Sequence, residues 1–157
     1  MIRMKEEDLN DQSGMIRAFR QYFQDVKAEC GDTLNAMLDP QLYSCDWEKR
    51  SVVISAETKP WMANPGGIAH GGITAAYLDL VMGLLCRYFS NGHMTVSIHM
   101  DVTYLRPVPL GKKLCIGAKL TKAGNSICFV EGSLWLEENP EELLATAGGA
   151  YSVAKVK

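Results

Sequence analysis

A long, almost uncharged run of residues between Gly71 and Phe89 dominates the hydrophobic pattern of the chain. The run contains no proline, is rich in Ala, Leu and Met, and exceeds the length of an ordinary strand, so it predicts a helix. Apolar side chains cover every face of that helix, which is typical of a helix buried in a core or in a bilayer. A membrane span needs roughly twenty uninterrupted apolar residues, and Asp79 would lie in the middle of this one. The pattern therefore favours a buried helix in a folded domain.

The residues before this helix predict one amphipathic helix and a hairpin. Apolar and aromatic residues recur at helical spacing from about residue 15 to 29, so a helix is expected there. A short turn of helix is expected at 33–38, because the Asp-Pro pair that follows would stop it. Two runs rich in β-branched and aromatic residues, 42–47 and 51–58, flank a charged tripeptide and predict a β-hairpin.

Residues 93–105 show the clearest alternation in the chain and predict a strand with two different faces. The apolar face is expected to pack on the buried helix. It consists of Met94, Val96, Ile98, Met100, Val102 and Tyr104. The polar face is expected to meet another subunit or a site rather than bulk water. It consists of Thr95, Ser97, His99, Asp101 and Thr103.

The remaining strands complete a sheet around the helix. Residues 114–120 and 126–136 predict a second hairpin, and a last strand is expected at about 143–153. One long buried helix followed by long antiparallel strands predicts an α+β architecture, in which an antiparallel sheet of about five to six strands wraps around the helix. The polar residues 1–13 are expected to form a flexible N-terminus, and residues 14–157 a single domain.

Composition narrows the possible functions. The chain has 157 residues and a formal net charge of −2, which suits one domain with a substantial core and gives no broad basic surface for nucleic acid or an anionic membrane. The N-terminus lacks the apolar segment of a signal peptide. Five widely spaced cysteines form neither a CxxC motif nor a Cys/His cluster, so reduced thiols and a cytoplasmic location are expected. Ligand spacing typical of a metal site is absent from the sequence, so no metal is expected.

Asp79 is the first candidate for a chemical role. The residues three and four positions away are Ala75, Ala76, Met82 and Gly83, so the helix itself offers no cation to pair with the carboxylate. A lone carboxylate in apolar surroundings costs several kcal/mol unless it finds partners elsewhere or is partly protonated. Such positions occur mainly where a carboxylate takes part in chemistry. The alternative is that Asp79 lies on an exposed edge of the helix.

The glycines at the start of the helix are the second candidate. The first N–H groups of a helix have no internal partner and carry the positive end of its dipole. Gly71 and Gly72 have no side chains, so a substrate can approach these N–H groups closely. This arrangement is typical of an oxyanion hole, in which N–H donors stabilise a carbonyl oxygen that gains negative charge. The alternative is that two small residues start the helix tightly against the sheet.

The spacing between the two candidates predicts a dimer. Gly71 and Asp79 are separated by roughly 12 Å along a helix axis. A base or nucleophile must lie about 3 Å from the atom that it serves, so the two residues cannot act on one carbonyl from one chain. If both are catalytic, each helix start must serve the aspartate of another subunit.

The residues around this helix start resemble the signature of a known family. The motif comprises Asn64, Gly67, His70, Gly71 and Gly72, followed by Asp79. It is similar to that of the hotdog-fold acyl-CoA thioesterases, in particular the phenylacetate-pathway (PaaI-like) group, and the likeness extends from about Met15 to the end of the chain. The resemblance implies the hotdog fold and hydrolysis of an acyl-CoA thioester without metal or organic cofactor, CoA being part of the substrate. It also implies a homodimer or a dimer of dimers, that is, a homotetramer.

The resemblance further implies a role for each residue of the motif. The N–H of Gly71 would polarise the thioester carbonyl, and Asp79 of the partner would attack it or activate water. Asn64 and His70 would shape the site and donate or accept hydrogen bonds there. Ser97, on the strand after the helix, would help to hold the water or the carboxylate.

Further substrate contacts are expected around the motif. Gly67 and Gly72 belong to the motif and would lie against the substrate. Trp61 and Met62, just ahead of it, are candidates for the wall of an acyl pocket, with ordinary loop packing as the alternative. The residues that would hold the CoA phosphates and adenine are not evident from the sequence.

The sequence as a whole therefore predicts a cytoplasmic, single-domain acyl-CoA hydrolase, with neither nucleic acid nor a membrane as a partner. One alternative is a non-catalytic acyl-CoA-binding or regulatory module on the same fold, which would keep the helix start and lose Asp79. Another is a hydratase or dehydratase, which would need an acid–base pair where only one well-placed carboxylate is evident. The acyl group stays open, and so does the choice between nucleophile and general base for Asp79.

Overall fold

The computed structural model describes residues 2–154 of the chain, so residues 1 and 155–157 of the predicted segments lie outside the described residues. Within that range the chain forms three α-helices: α1 (Gln12–Glu29), α2 (Leu34–Met37) and α3 (Gly71–Phe89). One sheet contains six strands: β1 (Gln41–Asp46), β2 (Ser51–Glu57), β3 (Met94–Tyr104), β4 (Lys113–Ala123), β5 (Ile127–Leu136) and β6 (Asn139–Ala154). The predicted order of helices and strands is confirmed.

The sheet wraps around α3. Its strands lie in the order β1-β2-β4-β5-β6-β3, and every neighbouring pair is antiparallel. α3 contacts β2, β3, β4, β5 and β6, whereas α1 lies against β1. The predicted α+β architecture, a long helix wrapped by an antiparallel sheet with an additional N-terminal helix, is thus confirmed. β1 and β3 form the two edges of this sheet.

The position of α3 explains its apolar composition. Its fully buried side chains are those of Tyr77, Leu78, Val81, Met82, Leu85 and Cys86. The sheet comes close to the helix at Gly132 of β5, where a Cβ atom would lie only 2.9 Å from the sulfur of Met82. By length and hydropathy alone α3 could also cross a membrane, but most of it is buried inside the protein. α3 is therefore the core helix around which the apolar faces of the strands are buried.

α1 begins at Gln12, earlier than predicted, because Asp11 caps it. The carboxylate of Asp11 accepts a hydrogen bond from the N–H of Gly14 at 2.6 Å, which satisfies one of the free N–H groups of the first turn. The apolar side of the helix is buried, and the ring of Phe19 lies 5.7 Å from that of Tyr88 on α3. The apolar and aromatic residues that recur at helical spacing in this segment thus pack into the core.

The N-terminal segment lies against the end of α3. The hydroxyl of Tyr88 donates a hydrogen bond to the carbonyl of Asp8 at 2.9 Å. The guanidinium of Arg87 donates one to the carbonyl of Ile2 at 2.6 Å. These contacts give the segment a defined place, and the flexibility expected for residues 1–13 stays a prediction.

The faces predicted for β3 are wrong in its first half, because the strand contains a β-bulge. In the pairing with β6, Ser97 lies opposite Tyr151 and His99 lies opposite Ala150, so Ile98 is an extra residue. Such an extra residue shifts the alternation of side chains by one position. The two halves of β3 therefore present opposite sets of residues to the helix.

Before the bulge, polar side chains of β3 point towards α3. Thr95 donates a hydrogen bond to the carbonyl of Gly83 at 2.8 Å, whereas Val96 is 55% exposed. After the bulge, Met100 and Val102 pack against the core, as predicted. The bulge thus brings hydroxyl groups to a stretch of helix that a regular strand would have covered with apolar side chains.

The ends of two later strands also differ from the prediction. β4 continues beyond its predicted end to Ala123, and β6 begins before its predicted start, at Asn139. Asn139 pairs with Leu136 of β5 and closes the β5–β6 hairpin. Pro140 does not prevent this, because a proline near the first residue of a strand removes little from the hydrogen-bond ladder.

We expect Leu85→Ala to lower the free energy of unfolding by about 2–5 kcal/mol, because truncation of a fully buried side chain leaves a cavity in the core. The matched control is Leu34→Ala on α2, where the side chain is 49% exposed and the change should stay within about 0.5 kcal/mol. Urea unfolding followed by circular dichroism measures both. Equal losses in the two variants would contradict the position of α3 as the core helix.

Candidate active site

The start of α3 is organised by its N-cap residue, His70. The Nδ1 atom of His70 accepts a hydrogen bond from the N–H of Gly72 at 2.9 Å, which requires a neutral ring with its proton on Nε2. The N–H of Gly71 makes no hydrogen bond within residues 2–154. Of the two glycines, Gly71 therefore offers the available donor, and the positive end of the helix dipole favours negative charge at this point.

Asn64 holds the loop that leads into α3. Its Oδ1 accepts a hydrogen bond from the N–H of Gly66 at 2.8 Å, and its main-chain carbonyl accepts one from Gly67 at 3.0 Å. Gly67 has a φ of 79°, which glycine adopts without strain. Because Oδ1 is occupied inside the loop, the side-chain NH₂ of Asn64 is the group left for a ligand.

A cavity of about 320 Å³ opens beside Gly71, and Asn64 lines it. Tyr104, at the end of β3, covers one side: its hydroxyl donates a hydrogen bond to the carbonyl of Gly71 at 3.0 Å. The Tyr104 ring lies 3.4 Å from the place that a Cβ atom on Gly71 would occupy. The sequence placed Tyr104 on the helix side of β3 but not in the site, because alternation does not show that the end of β3 meets the start of α3.

Asp79, in the middle of α3, is held by two hydroxyl groups. Ser97 of β3 donates a hydrogen bond to Oδ1 at 2.7 Å, and Tyr151 of β6 donates to the same oxygen at 3.0 Å. The second oxygen, Oδ2, accepts no hydrogen bond from the part of the chain that the structure describes. The carboxylate is oriented through one oxygen and accessible through the other, which suits a nucleophile or a general base.

Tyr151 is a site residue that the sequence analysis missed. Burial raises the pKa of its hydroxyl, and the charge of Asp79 raises it further, so the phenol stays protonated and donates. Its position follows from strand pairing, since it lies opposite Ser97 in the β3–β6 ladder. A tyrosine in the last strand carries no local signal for this role, because only the register of the sheet shows which residue meets Asp79.

A single chain does not bring Gly71 and Asp79 together. Asp79 lines a separate cavity of about 190 Å³, bounded by α1, α2, α3, β3 and β6, which shares no lining residue with the cavity at Gly71. The two residues lie on the same helix, roughly 12 Å apart along its axis. The separation predicted from helix geometry is therefore present in the folded chain.

Trp61 and Met62 line neither of these cavities. Met62 is buried in the core, where its sulfur accepts a hydrogen bond from the hydroxyl of Tyr77 at 3.9 Å. Trp61 is 44% exposed. In the single chain both residues are thus placed by loop packing, and a contact with a substrate stays a prediction for them.

The outer edge of β3 is open and apolar. β3 pairs with β6 on one side, and within residues 2–154 no strand pairs with its other side. Val96, Ile98 and Tyr104 on this strand are each more than half exposed. An open apolar edge strand is a liability in a monomer and is typical of a surface that pairs with another chain. Ser97, which lines the Asp79 cavity, lies on the same strand.

Comparison with known proteins shows which family and which proteins this chain resembles. The family model of the thioesterase superfamily matches residues 66–143. Human acyl-coenzyme A thioesterase 13 is 33% identical over 85 residues, which are 53% of this chain and 59% of the human protein. The chain thus spans less than two thirds of the length of this relative.

Two solved structures share the architecture. Zebrafish thioesterase superfamily member 2 matches with a TM-score of 0.77 at 24% identity, over 88% of this chain and 98% of that one. A phenylacetic acid degradation-related protein from Ralstonia eutropha JMP134 matches with a TM-score of 0.70 at 25% identity, over 84% and 99%. These similarities agree with the resemblance found in the helix-start motif. The chain therefore has the hotdog fold, and its residues 66–143 match the thioesterase superfamily.

Proposed function

We propose that the chain hydrolyses an acyl-CoA thioester to the free acid and CoA. The observation that carries this proposal is the carboxylate of Asp79, which Ser97 and Tyr151 hold through Oδ1 while Oδ2 remains open. The available N–H of Gly71 supplies the complementary group, a donor for a carbonyl oxygen that becomes negative during the reaction. The match of residues 66–143 to the thioesterase superfamily and the similarity to a human acyl-coenzyme A thioesterase support the same substrate class.

In this proposal the active site is shared between two subunits. The separate cavities at Gly71 and Asp79 support it, because neither cavity of one chain contains both groups. The open edge of β3 supports it as well: pairing of two such edges about a two-fold axis would bury Val96 and Ile98 and continue the sheet. Gly71 of one subunit would then serve Asp79 of the other.

The proposed reaction uses donors on one side of the carbonyl and the carboxylate on the other. The thioester oxygen accepts hydrogen bonds from the N–H of Gly71 and from the side-chain NH₂ of Asn64. Either Oδ2 of Asp79 attacks the carbonyl carbon and water hydrolyses the resulting anhydride, or the carboxylate takes a proton from an attacking water. In both routes the C–S bond breaks, the oxyanion returns to a carbonyl, and the CoA thiolate takes up a proton.

No organic cofactor or metal ion takes part in the proposed reaction, because the carboxylate and the N–H donors supply the base or nucleophile and the oxyanion stabilisation. Within residues 2–154, no three His, Cys, Asp or Glu side chains are grouped as metal ligands. CoA enters only as part of the substrate. His70 acts at the start of α3 in this proposal, since its Nδ1 accepts a hydrogen bond from the N–H of Gly72. A cytoplasmic location and assembly into a homotetramer are further parts of the proposal.

Asp79→Asn should lower kcat/KM by about 10²-fold or more on every substrate, because it removes the base or nucleophile. The panel runs from acetyl- to palmitoyl-CoA and includes phenylacetyl- and benzoyl-CoA. Loss of thioester absorbance is the readout, because free cysteines such as Cys30 and Cys45, which are partly exposed, would consume a thiol dye. Tight CoA binding without turnover of any thioester would contradict the proposal and favour a non-catalytic acyl-CoA-binding module.

Tyr151→Phe should lower kcat by about tenfold and leave KM nearly unchanged, because it loosens the orientation of Asp79 without touching bound CoA. Ser97→Ala removes the second hydrogen bond to the same oxygen, so the loss in the double variant should differ from the product of the single losses. Steady-state kinetics measure all three. Tyr43→Phe, an exposed tyrosine on β1, is the matched control, and an equal loss there would argue against a specific role for Tyr151.

Gly71→Pro should inactivate the enzyme, because proline is well tolerated at the first position of a helix but lacks the N–H. Gly71→Ala keeps that N–H, and its Cβ would make only ordinary contact with Tyr104, so it is the matched control. Exchange of Gly71→Pro subunits with inactive Asp79→Asn subunits should restore about one quarter of wild-type activity, since half of the dimers then contain one intact site. Properly exchanged heterodimers without turnover would contradict the shared site.

A further inference from the structure

The Asp79 cavity ends in a polar cluster that the proposed hydrolysis does not use. Arg87 of α3, Tyr22 of α1 and Asn35 of α2 line the cavity together with Asp79. Gly83 also lines it and lies between Asp79 and Arg87 on the same face of α3. The ring of Tyr151 lies 3.2 Å from the place that a Cβ atom on Gly83 would occupy, and the cavity continues from Asp79 to Arg87 beside this ring.

Arg87 is buried, and no carboxylate of the described residues 2–154 pairs with it. Only 8% of the residue is exposed, and none of the ion pairs within residues 2–154 includes it. Its guanidinium donates hydrogen bonds to the carbonyls of Gly92 at 3.2 Å and Ile2 at 2.6 Å. These bonds use only part of its five N–H groups. A buried charge without a counter-ion is costly, and a ligand that brings an anion would offset that cost.

A structural role for Arg87 accounts for part of this arrangement. A cation in the last turn of α3 is favoured by the helix dipole, and the two carbonyl contacts tie the N-terminal segment to the loop after the helix. The guanidinium carbon also lies 5.7 Å from the centre of the Tyr22 ring, an attraction that consumes no N–H group. The remaining N–H groups are those that a carboxylate binds through two parallel hydrogen bonds.

Tyr22 adds a neutral donor to the cluster. Burial raises the pKa of its phenol, although the charge of Arg87 opposes the rise, so the hydroxyl is protonated near neutral pH. Asn35 contributes an amide that can donate as well. The far end of the cavity is therefore rich in donors, whereas Leu80 and Leu84 line it on α3. Thr95, Ser97 and Tyr151 also line the cavity, so its walls are of mixed polarity. A passage with leucines on one wall and donors at its end suits a short acyl chain with an anionic end.

The spacing of Asp79 and Arg87 along α3 limits the length of such an acyl chain. The Cα atoms of Asp79 and Arg87 lie roughly 12 Å apart along the axis. If the carboxylate and the guanidinium keep this spacing, contacts of about 3 Å at each end leave roughly half of it. An extended chain advances roughly 1.2 Å per bond, so about five bonds separate the thioester carbon from the distal carbon. A six-carbon dicarboxylic acyl group has this length.

We infer that the preferred substrate is the CoA monothioester of a short dicarboxylic acid, with adipyl-CoA the best match in length. Arg87 binds the distal carboxylate, and Tyr22 and Asn35 are its further donors. The inference rests on the proposed function, since the thioester must lie at Asp79. The reaction itself is unchanged, and the bound carboxylate supplies binding energy and alignment at a distance from the bond that breaks.

The first measurement compares wild-type kcat/KM for adipyl-CoA and 6-methylheptanoyl-CoA, an uncharged isostere in which two methyl groups replace the carboxylate oxygens. We expect a preference of at least about tenfold for adipyl-CoA, because the isostere leaves the buried donors unpaired. Glutaryl- and pimelyl-CoA, which are one carbon shorter and longer, test the length.

The second measurement repeats this ratio in variants, so that a general loss of folded enzyme cancels. Arg87→Met should bring the ratio to about one or below. Arg20→Met, an exposed arginine on α1, is the matched control and should keep the wild-type ratio. If Arg87→Met does not fold, Arg87→Lys decides: lysine keeps the charge but cannot bind a carboxylate through two parallel hydrogen bonds, so the ratio should fall several-fold.

The outcomes separate this inference from the function on which it rests. A wild type that hydrolyses the neutral thioester at least as well as adipyl-CoA, with turnover that depends on Asp79, overturns the inference and leaves the proposed hydrolysis intact. An Arg87→Met variant in which kcat/KM falls by the same factor for both substrates also overturns it, because the role of Arg87 is then structural. Failure to hydrolyse any thioester overturns both.

Discussion

An apolar helix must be covered on all sides by other parts of the chain. Here a sheet wraps around it, and the rest of this structure depends on that constraint. The contact is close: Gly132 of β5 leaves just enough room for Met82 of α3. A polar group on the side of α3 that faces the sheet must therefore find its hydrogen-bond partners on the strands that touch the helix. Asp79 finds them in Ser97 of β3 and Tyr151 of β6.

The same hydrogen bonds make Asp79 tolerable in the fold and suitable for chemistry. Two hydroxyl donors reduce the cost of placing a carboxylate among apolar residues. Because both donors meet Oδ1, the second oxygen is left without a partner in the part of the chain that the structure describes. An arrangement with one donor on each oxygen would satisfy the carboxylate more evenly and would leave it less reactive.

Features that depend on local sequence could be predicted, and features that depend on strand register could not. The sequence alone indicates the length and composition of α3, the turn residues between strands, and the distance from Gly71 to Asp79. The start of α1 was also readable, since Asp11 is a common capping residue, although its cap was overlooked. The face of β3 and the role of Tyr151 were not, because both depend on which residue of β6 lies opposite Ser97.

The bulge at Ile98 determines which side chains of β3 face α3 on each side of it. One extra residue lets Ser97 and Met100, three positions apart, lie on the same side of the strand. A single-residue insertion or deletion here would turn one half of the strand over and remove either the hydroxyl at Asp79 or the apolar contact with the core. Changes in pairs would keep both halves in place. In this part of the chain, therefore, the length of a homologue should vary in even steps, even where the identities of its side chains drift.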